Sequence, residues 1–99
     1  MDTQSSVKDR TSERVKEPKQ YKVIMHNDDF TTMEFVVDVL VRIFHKDQLT
    51  AETLMLDVHR KGMAVIGRYP YDIAMSKTNK AMEAARAQGY PFKMTVEEA

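Results

Sequence analysis

Two places in the chain carry side chains capable of chemistry. Asn27-Asp28-Asp29 sets an amide and two carboxylates at consecutive positions, and His59 follows well downstream. Carboxylates plus a histidine can hold a metal, exchange protons, or receive a cation. Zinc through His26, Asp28 and His59 is conceivable, but the three histidines, His26, His45 and His59, fall on different predicted elements with no His-x-x-x-His spacing. Catalysis by a histidine–aspartate pair needs a nucleophile, and no serine sits in a nucleophile-elbow motif and no cysteine exists. Three glycines form no phosphate-binding loop. On pattern alone the simpler roles are favoured: turn capping for 27–29, and a partly exposed helix residue for His59.

The elements that must position these residues are legible. KQYKVIMH (19–26) is β-branched and aromatic and predicts a strand. NDDFT (27–31) is a turn, because Asn and Asp side chains bond nearby backbone. Thr31 with Glu34 reads as a capping box, and Phe30 with Phe35 as a hydrophobic staple, at the start of a helix over 33–45. That helix has one polar stripe, Glu34, Asp38, Arg42 and His45, and is otherwise apolar, which predicts a central buried helix. A second helix is expected over 51–61. Thr50 caps it, Leu49 and Leu54 form a staple, Ala51, Leu54, Met55 and Val58 form the buried face, and Gly62 is the terminator. MAVIG (63–67) reads as a strand. A third helix over 72–88 starts with Asp72 at its positive end, carries a small-residue seam of Ala74, Thr78, Ala81 and Ala85, and stops at Gly89 and Pro91. FKMTV (92–96) alternates as a final strand. The order β-α-α-β-α-β predicts an α+β two-layer sandwich with a three-stranded antiparallel sheet.

The totals narrow the function classes. Ninety-nine residues make one domain and one modest core. Fifteen basic and fifteen acidic residues cancel, and a duplex-binding domain of this size would carry a basic surplus. Nucleic acid and anionic membranes are therefore not expected partners. The absence of cysteine fits a reducing compartment, and with no apolar run near ~18 residues and no secretory signal the expectation is cytoplasmic. Residues 1–17 contain only Met1, Val7 and Val15 as apolar side chains, with four basic and four acidic residues. They cannot offset ordering entropy by burial and are expected to be a flexible N-terminal tail.

YKVIMHNDDFTTMEFVVDVL (21–40) followed by LMLDVHRKGMAVIG (54–67) resembles the ClpS adaptor family over about residues 18–99. The resemblance implies a non-enzymatic, monomeric adaptor without cofactor or metal. It would bind an N-degron, the free N-terminus of a protein starting with Leu, Phe, Tyr or Trp, and deliver it to the Clp protease by docking on the N-terminal domain of ClpA or ClpC. By that resemblance Asn27, Asp28, Asp29 and His59 surround the α-amino group, with the aspartate making direct contact left open. Thr31, Met33, Val36, Met55, Val58 and Phe92 correspond to the side-chain pocket, Met33 being the gatekeeper against β-branched residues. Lys77, placed in the exposed register of the third helix, matches the docking region, and the tail would serve hand-over. Two positions depart from the family pattern: Thr32 replaces a common proline, and His26 replaces an aliphatic residue, which bears on the pocket floor. The readings from other classes are a small metal-dependent hydrolase using His26, Asp28 and His59, and a ribosome-stalk-like interaction domain.

Overall fold

The computed structural model describes residues 17–99. The expected tail over 1–17 lies, apart from Glu17, outside them. The described chain runs β1 (Gln20–His26), α1 (Met33–Arg42), α2 (Gln48–Lys61), β2 (Met63–Pro70), α3 (Tyr71–Ala87) and β3 (Lys93–Glu98). The strands form one antiparallel sheet in the order β2-β1-β3, so the α+β sandwich expected from the pattern is the fold observed. The pairing of β1 with β2 slips by one residue between Val23 and Ile24, leaving Ile66 as the extra residue of a bulge.

One face of the sheet carries the core. Val23 and Met25 of β1, Ile66 of β2 and Met94 of β3 are buried against Val36, Val39 and Leu40 of α1 and Ala51 and Val58 of α2. The small-residue seam of α3 is buried as expected at Ala74, Thr78, Ala81 and Ala85, and lets that helix approach the sheet closely. Thr78 is 2% exposed and its Oγ1 has no hydrogen-bond partner. An unpaired buried hydroxyl costs about 1–3 kcal/mol. Thr78→Val keeps the branched shape and removes that cost. It should therefore stabilise the domain by about 1 kcal/mol and raise Tm by roughly 4–8 °C for a domain of this size. Thermal melts of the two proteins check this; an unchanged or lower Tm would show that the hydroxyl is satisfied in solution.

Several local expectations are corrected. Thr32, not Thr31, caps α1, accepting from the Phe35 N–H at 3.1 Å. Phe30 is 75% exposed and forms no staple. Thr32 therefore stands before the helix and not at its first position. α1 also ends earlier than expected, at Arg42, with His45 in the left-handed region at φ 59°. It is not buried all round: Met33 is 47% exposed, and Val37 and Val41 are half-buried. α2 begins at Gln48, capped by Asp47 and not Thr50, and Leu49 is 72% exposed, so no staple forms there either. Gly62 does end α2 in the left-handed conformation, at φ 89°.

Candidate functional site

Asn27-Asp28-Asp29 and His59 come together because two ends meet: the exit of β1 and the last turn of α2. The Asn27 backbone N–H donates to the Gly62 carbonyl at 2.9 Å, tying the loop to the residue that terminates α2. Gly62 also donates its N–H to the Val58 carbonyl at 2.9 Å. Asn27 and His59 are thereby held on the same framework.

Asp28 organises the loop. Its Oδ1 accepts from the Phe30 N–H at 2.8 Å and the Thr31 N–H at 2.7 Å, and its Oδ2 accepts from the Thr31 hydroxyl at 2.8 Å. Partial burial by itself would raise the carboxyl pKa, but these three donors outweigh it and hold Asp28 below the usual carboxylate range. The same bonds occupy the Thr31 hydroxyl, which is why Thr32 is left to cap α1. Asn27, Asp29 and His59, by contrast, make no side-chain hydrogen bond among the described residues.

These residues rim a cavity of about 220 Å³, lined by Asn27, Asp28, Asp29, Thr31 and His59 on its polar side and by Met33, Val36, Met55 and Val58 on its apolar side. Sites for drug-sized ligands run from about 300 to 1,000 Å³. A cavity of this size suits a single side chain. The apolar lining comes from the first turn of α1 and the last two turns of α2. Met33, half in solvent, stands at the rim, and Val36 and Val58 lie inside. Chemically, the site can take an apolar group with a cation beside it: acceptors converge at one end and thioethers and methyls line the other.

Three expected site residues lie elsewhere. Phe92 is 1% exposed and packs edge-on against Phe35 with centroids 5.6 Å apart; it belongs to the core and not to the cavity wall. His26 follows buried Met25 on β1 and therefore projects from the opposite face of the sheet, where its Nε2 bonds the Thr95 hydroxyl at 2.8 Å. It forms no part of the pocket floor. It is also not grouped with Asp28 and His59: among the described residues no three His, Cys, Asp or Glu are placed to share a metal ion. The hydrolase reading loses its geometry with that separation. Lys77 is half-buried, not in an exposed register. Its ammonium donates to the Ile43 carbonyl at 2.9 Å and lies 5.9 and 5.7 Å from the ring centres of Phe44 and Tyr69. No described helix is long and apolar enough to cross a membrane.

The architecture and the sequence have known counterparts. The family model for ATP-dependent Clp protease adaptor protein ClpS matches residues 16–95. The ATP-dependent Clp protease adapter protein ClpS of Clostridium acetobutylicum is 47% identical over 85 residues, covering 86% of this chain and 84% of that protein. That of Acetivibrio thermocellus is 46% identical over 97 residues, 98% of both chains. Among solved structures, Agrobacterium tumefaciens ClpS2 bound to L-phenylalaninamide superposes with a TM-score of 0.81 at 37% identity, covering 84% of this chain and all of that one. A match over four-fifths of the chain, with the same fold, leaves one assignment: this chain belongs to the ClpS family of Clp protease adaptors.

Proposed function

We propose that this chain captures proteins by a free N-terminus bearing Leu, Phe, Tyr or Trp and delivers them to the Clp AAA+ protease. The observation that carries the reading is the two-ended cavity, with polar acceptors at one end and a Met- and Val-lined wall at the other. Phenylalaninamide, the ligand of the Agrobacterium relative, carries both matching features, an amine and an apolar ring.

An α-amino group has a reference pKa near 7.7–8.0 and enters mostly as an ammonium at neutral pH. The Asn27 amide oxygen and an unprotonated imidazole nitrogen of His59 accept from it, and Asp29 supplies the countercharge. Asp28, both of whose oxygens are already engaged, shapes the loop. The side chain behind the amine fills the space between Met33, Val36, Met55 and Val58, where flexible thioethers adjust to rings or branched chains. The reading places recognition in residues 18–99 of a monomer without cofactor and hand-over in the 1–17 arm. Docking falls on the N-terminal domain of ClpA or ClpC. Lys77 contributes to docking by holding the α1–α3 surface in shape, through its bond to Ile43, and not as a free charge.

Fluorescence anisotropy with peptides differing only in their first residue tests this directly. Leu, Phe, Tyr and Trp should bind, and Asp, Lys, Gly and Ile poorly. Met33, at the rim, crowds a branch on the β-carbon, so Met33→Ala should admit Ile and Val while retaining Leu and Phe. The Leu/Ile ratio should fall by about 1–3 kcal/mol, the worth of one or two methyl groups in an apolar site. An unchanged ratio would leave Met33 a packing residue only.

A further inference from the structure

Thioethers are the side chains of this protein most open to two-electron oxidants, because the sequence holds no cysteine and no tryptophan. Its eight methionines are not equivalent. Met25 and Met94 are buried in the core, and Met55, Met75 and Met82 are half-buried. Among the described residues only Met33 and Met63 are well exposed, at 47% and 51%. Met63 opens β2 and does not line the cavity. Met33 lines both the cavity and the open space outside it, so its side chain stands between the ligand site and bulk water.

Oxygen transfer to Met33 changes the property on which capture depends. The sulfur lone pair attacks one oxygen of hydrogen peroxide, an S–O bond forms as the O–O bond breaks, and the second oxygen leaves as water. Sulfur gives up two electrons to the peroxide, and an apolar thioether becomes a polar sulfoxide. Its neighbours on the cavity wall, Val36, Met55 and Val58, carry no hydrogen-bond donor in their side chains. The Thr31 hydroxyl, on the polar side, already donates to Asp28. The new oxygen is therefore hydrated. A Leu or Phe side chain entering beside it has to strip that water without replacing its hydrogen bonds.

We propose that Met33 is an oxidation site that switches substrate capture off. Peroxide converts its thioether to the sulfoxide, and the cavity loses affinity for apolar N-terminal side chains. A methionine sulfoxide reductase reverses the change: two thiols become a disulfide, the oxygen leaves as water, and the thioether returns. The proposal rests on the cavity being the N-terminal site. Delivery then pauses while oxidant is present and resumes without new synthesis of the adaptor.

The test uses the full chain, treated with graded hydrogen peroxide and quenched with catalase. Each sample is divided between peptide mass spectrometry and anisotropy with a Phe-initiated peptide. Affinity should fall about tenfold in step with the oxygen gained at Met33, with an unchanged far-UV CD spectrum. It should return after treatment with reductases for both sulfoxide epimers. M33L, compared with its own untreated form, should change by less than about twofold. M63L, which removes the equally exposed thioether outside the cavity, should respond as wild type does. Saturating phenylalaninamide during the treatment should slow oxygen gain at Met33 and not at Met63. Full affinity with Met33 oxidised overturns the proposal. So does an equal loss in M33L, a loss that persists once Met33 is a thioether again, or phenylalaninamide that binds without shielding Met33. Failure of untreated wild type to bind both phenylalaninamide and the peptide is a separate result: it would remove the cavity reading, and this one with it.

Discussion

Acetylating the α-amine of a Phe-initiated peptide should abolish its capture, with affinity falling by at least about 100-fold. The modification removes the positive charge and most of the donors, and it sets an apolar acyl group against Asn27, Asp29 and His59. Each of those side chains makes no other hydrogen bond among the described residues, so each loses its partner with nothing to replace it inside the cavity. His59→Ala removes one acceptor and leaves the rest. It should cost about 1.5–3 kcal/mol, the worth of a hydrogen bond to a charged group, or roughly 10- to 100-fold. Because His59 is exposed at the end of α2, the substitution should leave the melting temperature nearly unchanged. Anisotropy with free and acetylated forms of one peptide measures the effect. Tight binding of the acetylated peptide would mean that the polar end of the cavity does not hold an amine.

The parts of this molecule that could be read from sequence are those governed by local periodicity. The Ala74, Thr78, Ala81 and Ala85 seam announces a close helix–sheet contact because small residues recur once per turn, and Gly62 announces the end of α2 because the left-handed conformation there favours glycine. The cavity wall was partly legible too: Met55 and Val58 share one helix face by spacing alone, while their pairing with Met33 and Val36 came from family resemblance. What local pattern misplaced depended on competition between neighbours. Thr31 and Thr32 are equally good caps, and the choice falls to Thr32 because Asp28 holds the Thr31 hydroxyl. Asp47 likewise takes the cap of α2 from Thr50.

The stop of α1 has no sequence signal at all. The run through Ile43 and Phe44 holds no glycine or proline, and Lys77, far along the chain, supplies a donor to the Ile43 carbonyl. Long-range contacts of this kind lie beyond any window of sequence. Lys77 itself sits beside Thr78 in the seam of α3, and its long stem lets it lie half-buried with its charge at a helix end. His26 is a different case, since strand alternation with buried Met25 already placed it on the far face; that signal was available. By the family resemblance Phe92 corresponds to a pocket residue, and here the core claims it, packed against Phe35.

Removing the Asp28 carboxylate should disorganise the whole recognition loop, whereas removing that of Asp29 should weaken binding without disturbing the fold. Asp28 accepts three hydrogen bonds within the turn, two from backbone N–H groups and one from the Thr31 hydroxyl. Asp28→Ala leaves all three donors to find water. It also frees the segment between Asn27, anchored on Gly62, and the Thr32 cap. Bonds to a charged acceptor are worth about 1.5–3 kcal/mol each when lost singly and are not additive in one turn. A total near 2–3 kcal/mol in stability and a loss of roughly 100-fold in N-degron affinity is therefore expected. Asp28→Asn keeps an Oδ1 acceptor for the two backbone donors and should recover most of both. Asp29→Asn removes only the countercharge: affinity should fall by about tenfold, with Tm unchanged. The pH dependence separates the roles further. The folded Asp28 carboxyl sits below its ordinary value near 3.8, so its contribution is complete above that value and is lost as pH falls through the lower folded value. Wild type should accordingly lose stability relative to Asp28→Ala below about pH 4, and the two proteins should converge in strong acid. Urea titrations of the three variants from neutral to acid pH measure this. A constant difference between wild type and Asp28→Ala across that range would mean that the loop does not rest on the ionised carboxylate.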